Sequence, residues 1–213
     1  MNTKSVFGML TASLAAVVLA ACGSSATPAS PAAAPTTTAT AAAPSAAAHN
    51  DADVAFVRGM IPHHAQAVQM SQLAEQRATN PQVKQLATRV AQAQGPEIQQ
   101  MQAMLASWGL PAQPTDAAGM SGMNGMDHGN MQGMPGTAGM MSDQQMQQLG
   151  AVSGAAFDRM WLQMMIEHHT GAIQMSQTEL RDGLNADAKA LAQKIIDAQQ
   201  TEITEMQNLL TTI

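Results

Sequence analysis

Met-Ile-Pro-His-His-Ala-Gln-Ala-Val-Gln-Met-Ser occupies residues 60–71, and Met-Ile-Glu-His-His-Thr-Gly-Ala-Ile-Gln-Met-Ser occupies residues 165–176. The offset, 105 positions from Met60 to Met165, does not drift downstream. Glu97, Ile98, Met101 and Leu105 recur as Glu202, Ile203, Met206 and Leu210 at the same interval. Asp53 recurs as Asp158, Lys84 as Lys189 and Leu86 as Leu191. A gap-free duplication that keeps imidazole, carboxylate and thioether side chains points to two copies of a metal-handling helical unit.

Within each copy the apolar residues recur at helical spacing. Phe56, Met60, Ala67, Met70 and Ala74 predict a first helix over about 51–78, capped by Asp51 or Asp53 and ended at Asn80-Pro81. Val83, Leu86, Val90, Met101 and Met104 mark a second from about Pro81 to Ser107, stopped by Trp108-Gly109-Leu110-Pro111. A third starts near Ser142, where Ser-Asp-Gln-Gln reads as a capping box, and continues past Phe157, Trp161, Met165 and Ile173 to about Arg181. The fourth runs from about Ala186 to Leu210 with Leu191, Ile195, Ile203 and Met206. Nothing alternates with period two, so no sheet is expected. The pattern predicts an all-α four-helix bundle built from two duplicated antiparallel hairpins. The long connection between the hairpins allows the crossover of ferritin-like folds. Pro62 and Gly95-Pro96 belong to the first copy, against Glu167 and Gln200-Thr201 in the second. Kinks are therefore expected beside both positions of the first copy and straighter helices in the second.

The chain divides into three segments. Lys4 precedes an apolar run from Val6 to Ala21 that is too short for a permanent membrane span, and residues 1–21 read as a signal peptide. The run ends in Leu19-Ala20-Ala21-Cys22, which resembles the bacterial lipobox. That likeness implies a lipid on Cys22 and an exported protein anchored in the cell membrane or outer membrane, facing the periplasm or the exterior. A plain secretory peptide cut near Ala-x-Ala is the alternative. Residues 22–49 carry the lipidated Cys and an Ala/Pro/Ser/Thr tether that cannot offset its ordering entropy. Residues 50–213 form the bundle, with a methionine-rich connection over 112–141. Cys22 is the single cysteine, which excludes an intramolecular disulfide and a cysteine-based zinc cluster. A net charge of -6 argues against nucleic acid as a partner.

Projected at about 100° per residue, His63 and His64 flank the stripe of Phe56, Met60 and Met70. Glu97 falls among Leu86, Val90, Met101 and Met104, and a carboxylate buried there needs a partner or a metal. His63 and His168 lie nearest the stripe, beside Met60 and Met165, and are the leading ligands. His64 and His169 read as ligands or as residues behind them. Asp53 and Asp158 read as caps or ligands, and Met70, Met104 and Met175 as packing. Each hairpin then offers one set, Met60, His63, Glu97 and Met101 or Met165, His168, Glu202 and Met206, with the glutamates orienting a histidine or ligating Cu(II). The connection reads GMSGMNGMDHGNMQGMPGTAGMM from Gly119 to Met141 and carries Met120, Met123, Met126, His128, Met131 and Met134. Soft thioethers select Cu(I) or Ag(I) over zinc or magnesium, and imidazole adds Cu(II).

The paired His-His dodecapeptides and the Glu-Ile-x-x-Met segments resemble the DUF305 family over about residues 50–212. The resemblance implies a ferritin-like four-helix bundle, exported, with members associated with copper binding and copper resistance. It transfers His63, His64, His168, His169, Glu97, Glu202 and the adjacent methionines as functional positions. The expectation is a non-enzymatic, copper-binding envelope lipoprotein that sequesters or hands on copper, Cu(I) preferred. Its partners are copper ions, the membrane through Cys22, and a copper-delivery protein or a second copy of the chain. Two rivals stand: a ferritin-like iron or manganese oxidoreductase, disfavoured because Glu-x-x-His is absent, and an envelope interaction protein with a satisfied His–Glu core.

Overall fold

The computed structural model describes residues 48–115 and 138–213. The signal peptide, Cys22, nearly all of the tether, and Met120, Met123, Met126, His128, Met131 and Met134 lie outside the described residues. Among the described residues the elements are α1 (Asp51–Arg77), α2 (Pro81–Ser107), α3 (Asp143–Ala151), α4 (Gly154–Asp182) and α5 (Ala186–Leu210), with no strand. None of these helices is long and apolar enough to cross a membrane.

Local chemistry sets the boundaries. Asn50, rather than Asp51 or Asp53, caps α1; its side chain accepts from the Ala52 and Asp53 amides, and Asp53 accepts from the Asn50 amide in return. Packed structure therefore reaches back into the last residues of the expected tether: the Ala48 carbonyl accepts from Asn185, and His49 stacks on Trp108 at 4.7 Å. Asn80 caps α2, with Pro81 in its first turn. At the far end Gly109, at φ 73°, closes a Schellman motif in which Leu110 donates to Leu105 and Gly109 to Ala106. α1 and α2 run on without interruption through Pro62 and Pro96. The expected third helix is two helices. The Ser142 capping box forms as read, but the chain leaves helix at Val152-Ser153 and resumes at Gly154, which sits at φ 67°. Glycine alone adopts that conformation freely.

α1 pairs with α2 and α4 with α5, and the two hairpins meet along α1 and α4, with lighter contact between α2 and α5. The interior is divided. One apolar cluster gathers Met70, Leu86, Val90, Phe157, Trp161, Met165 and Met206; the other gathers Phe56, Met60, Met101, Leu105, Leu191 and Ile195. Each large side chain among them contributes about 1.5–3 kcal/mol by leaving water. Along α1 and α4 the histidine pairs fall between the stretches that feed the two clusters, forming a polar layer across the bundle.

Two reciprocal contacts lock the hairpins together. Asp53 of α1 accepts from the Leu184 and Asn185 amides in the α4–α5 turn, and Asp158 of α4 accepts from the Thr79 amide and hydroxyl and the Asn80 amide in the α1–α2 turn. Donors and acceptors are offset by the same 105 positions as the sequence repeat. Both aspartates are thus braces between hairpins.

Glu179 has no acidic counterpart in the first copy, where Ala74 stands. It is buried, and burial, then the nearby Asp53 carboxylate, push it up to about 8. A carboxyl raised from 4.5 favours the folded state below that value and loses its contribution as pH rises through about 8. Glu179→Gln should therefore raise the melting temperature above pH 8 and flatten the decline between 4.5 and 8. Thermal melts across that range check this; an unchanged slope defeats it.

Candidate metal centre

α1 and α4 bring the four histidines of the repeat into one layer, and all four are fully buried. The rings of His63 and His168, offset by 105 positions, meet across the hairpin interface with centroids 3.8 Å apart and planes tilted by 42°. The His168 and His169 centroids are 6.4 Å apart. The leading histidines of the two hairpins thus meet in one central layer.

The glutamates go to the other histidines. His64 Nε2 donates to Glu97 Oε2 at 2.9 Å, and His169 Nε2 donates to Glu202 Oε2 at 2.7 Å. Glu97 was expected beside His63; it reaches His64 because the two approach across the α1–α2 interface, which projection of a single helix does not define. The second oxygen of Glu97 lies 3.3 Å from Lys194 Nζ of the other hairpin, a contact without a signal in the helical pattern. Burial works against the Glu97 anion, but His64 and Lys194 outweigh it and hold the carboxyl below its ordinary range.

A carboxylate or carbonyl can only accept, so each such bond assigns a ring proton. His63 Nε2 donates to the Ala138 carbonyl at 3.0 Å. His63, His64 and His169 therefore all carry a proton on Nε2. The Nδ1 atoms of all four histidines are buried without a hydrogen-bond partner, as is His168 Nε2. Burial lowers the His63 imidazole to about 3 and lowers His64 and His168 as well, so these rings are neutral and their lone pairs available. His64 and His169, read as ligands or as residues behind them, match the leading pair in burial, and each has a partnerless Nδ1.

Met60, Met101, Met165 and Met206 are fully buried, Met60 and Met101 in one apolar cluster and Met165 and Met206 in the other. Met60 precedes His64 by four residues and Met165 precedes His169 by four, a spacing that shares one helix face. Among the described residues no three His, Cys, Asp or Glu side chains form a ready-made ion site. A soft ion would draw on thioether sulfur together with the imidazoles. Sequence reasoning missed Gln94 and Gln199, a matched pair whose buried amides have no partner. Their signal was present as Gln-x-x-Glu ending at Glu97 and at Glu202.

Residues 53–210 match the family model described as Domain of unknown function (DUF305). The chain belongs to the DUF305 family. A DUF305 protein of Streptomyces coelicolor is 32% identical with a TM-score of 0.63, over 76% of this chain and 93% of that one. CopM with Cu(II) bound is 27% identical with a TM-score of 0.62, over 75% of this chain and 96% of CopM. CopM with Cu(I) bound aligns at 25% identity and a TM-score of 0.58, over 75% of this chain and 96% of that one. Protein L153 of Acanthamoeba polyphaga mimivirus is 42% identical over 53 residues, which is 25% of this chain and 35% of L153. The DUF305 chain thus spans about a third of the length of that curated relative.

Proposed function

We propose that the protein is an exported, lipid-anchored copper-binding member of the DUF305 family that sequesters or hands on copper, with Cu(I) preferred. The observation that carries the reading is the histidine layer with its five buried ring nitrogens that lack a partner. Buried polar atoms are overwhelmingly hydrogen-bonded, so a cluster of buried imidazole nitrogens without partners fits a cation better than a satisfied core. Glu97 and Glu202 act behind His64 and His169, fixing their rings through Nε2 so that Nδ1 faces away from the carboxylate. With those carboxylates engaged, the donor set is poorer for iron or manganese and richer for copper. Met60, Met101, Met165 and Met206 supply the soft donors, and Met120, Met123, Met126, His128, Met131 and Met134 would collect the ion.

Related folds in Cu(II)-bound and Cu(I)-bound CopM support a copper role. The Streptomyces coelicolor relative is provisionally named a secreted protein, which agrees with export; Cys22 is the proposed anchor. The test is a Cu(I) titration of the mature protein against a competing chelator. Binding tighter than about micromolar is expected, and a weaker result defeats the proposal.

A further inference from the structure

The two dodecapeptides differ at Gln66 and Gly171, which occupy matched positions, and both residues face the same short segment. Residues 138–141 bring the methionine-rich connection back to the bundle. Gln66 grips this segment from α1: its Nε2 donates to the Met141 carbonyl at 2.8 Å, and its Oε1 accepts from the Met141 amide at 2.7 Å. On α4 the segment crosses at Gly171, where a Cβ would stand 1.9 Å from the Ala138 oxygen and 2.7 Å from the Gly139 Cα. Gly139 itself sits at φ 76°, and a Cβ there would stand 2.6 Å from the Glu167 oxygen. One copy of the repeat thus supplies a clamp and the other a slot. What the pair delivers is the Ala138 carbonyl, 3.0 Å from His63 Nε2.

We propose that Gln66 and Gly171 are positioning residues that dock the returning end of the methionine-rich connection and, through the Ala138 carbonyl, hold His63 with its proton on Nε2 and its lone pair on Nδ1. The docked segment does for His63 what Glu97 does for His64 and Glu202 for His169. It uses a neutral backbone dipole in place of a carboxylate. His63 is therefore tied to the connection, while the other two rings are tied to helices of the bundle. The consequence for copper rests on the function proposed above; the docking does not.

The test uses the full-length protein with ¹⁵N-labelled histidine, in Gln66→Leu and Gly171→Ala variants. Alanine favours a helix interior over glycine, so α4 itself is not weakened by the second change. Gly150→Ala serves as the control, since a Cβ there meets nothing within 4 Å. In the metal-free protein the His63 ring N–H, assigned by its loss in His63→Leu, should be protected from solvent exchange. Both variants should abolish that protection and spare the ring N–H groups of His64 and His169; the control should change nothing. Cu(I) affinity should fall by about 10–100-fold in both variants, the range for losing a partner behind a ligand. Retained His63 protection in both variants overturns the proposal. Lost protection with unchanged Cu(I) affinity upholds the docking and overturns its consequence for copper. If the unaltered protein binds no Cu(I) but His63 protection still depends on Gln66 and Gly171, the docking stands and the copper function falls.

Discussion

Replacing His63 and His168 together by leucine should lower Cu(I) affinity by about 100-fold or more while leaving the metal-free protein at least as stable. The two rings are fully buried against each other at the hairpin interface, and three of their four nitrogens have no partner. A buried, unsatisfied polar atom costs about 1–3 kcal/mol, whereas an apolar group of similar shape carries no such cost. Leucine would join the two apolar clusters that the layer separates. The pH response should change with it. Because burial lowers His63 from 6.5 to about 3, the unfolded chain binds the extra proton between those values, and stability declines as pH falls from 6.5 toward 3. The double variant should lose that part of its acid sensitivity. Thermal melts and a chelator competition give both readouts. A lower melting temperature with unchanged Cu(I) affinity would show that the rings serve folding.

The second large effect belongs to the braces. Asp158→Ala removes the acceptor for three donors at a site 2% exposed, and a hydrogen bond to a charged group contributes about 1.5–3 kcal/mol. With partial recovery by water, the loss should be about 3 kcal/mol, a drop of roughly 6–12 °C for a domain of this size. Asp158→Asn keeps one acceptor oxygen and should lose about half as much. The Asp53 brace adds a pH signature. Burial opposes its ionisation, but backbone donors from Asn50, Asn185 and Leu184 prevail and hold the carboxyl below 3.8. Its contribution is present above 3.8 and is lost as pH falls through the lower folded value. Calorimetry of the Asp158 variants checks the first claim, and an effect within about 0.5 kcal/mol, the ordinary range for a surface change, sinks it.

The duplication made most of this legible. Constant spacing of the His-His motif and the apolar stripes locate α1, α2 and α5 and the hairpin turns, because amphipathic periodicity and the Asn80 and Asn185 caps are local properties. The break between α3 and α4 escaped because Leu149 and Phe157, eight residues apart, keep the helical phase across it. Ser153-Gly154 was the overlooked signal. Burial of all four histidines followed from the stripe. Their partners did not: which glutamate meets which histidine, or where Lys194 lands, depends on how helices cross. The docking of residues 138–141 left one trace in the sequence, the unexplained exchange of Gln66 for Gly171.

The braces carry a further meaning. The braces and the ring stack that join the hairpins are made with the roles exchanged: an aspartate from each reaches the turn of the other, and one ring from each enters the central stack. One hairpin therefore holds both the plug and the socket of its own interface. Two separate chains of half the length, each a single α–turn–α unit, would satisfy the same contacts about a true dyad. The present chain has the form of such a homodimer fused into one polypeptide. Fusion freed the halves to diverge, so that one position could become the glutamine clamp and its mate the glycine slot.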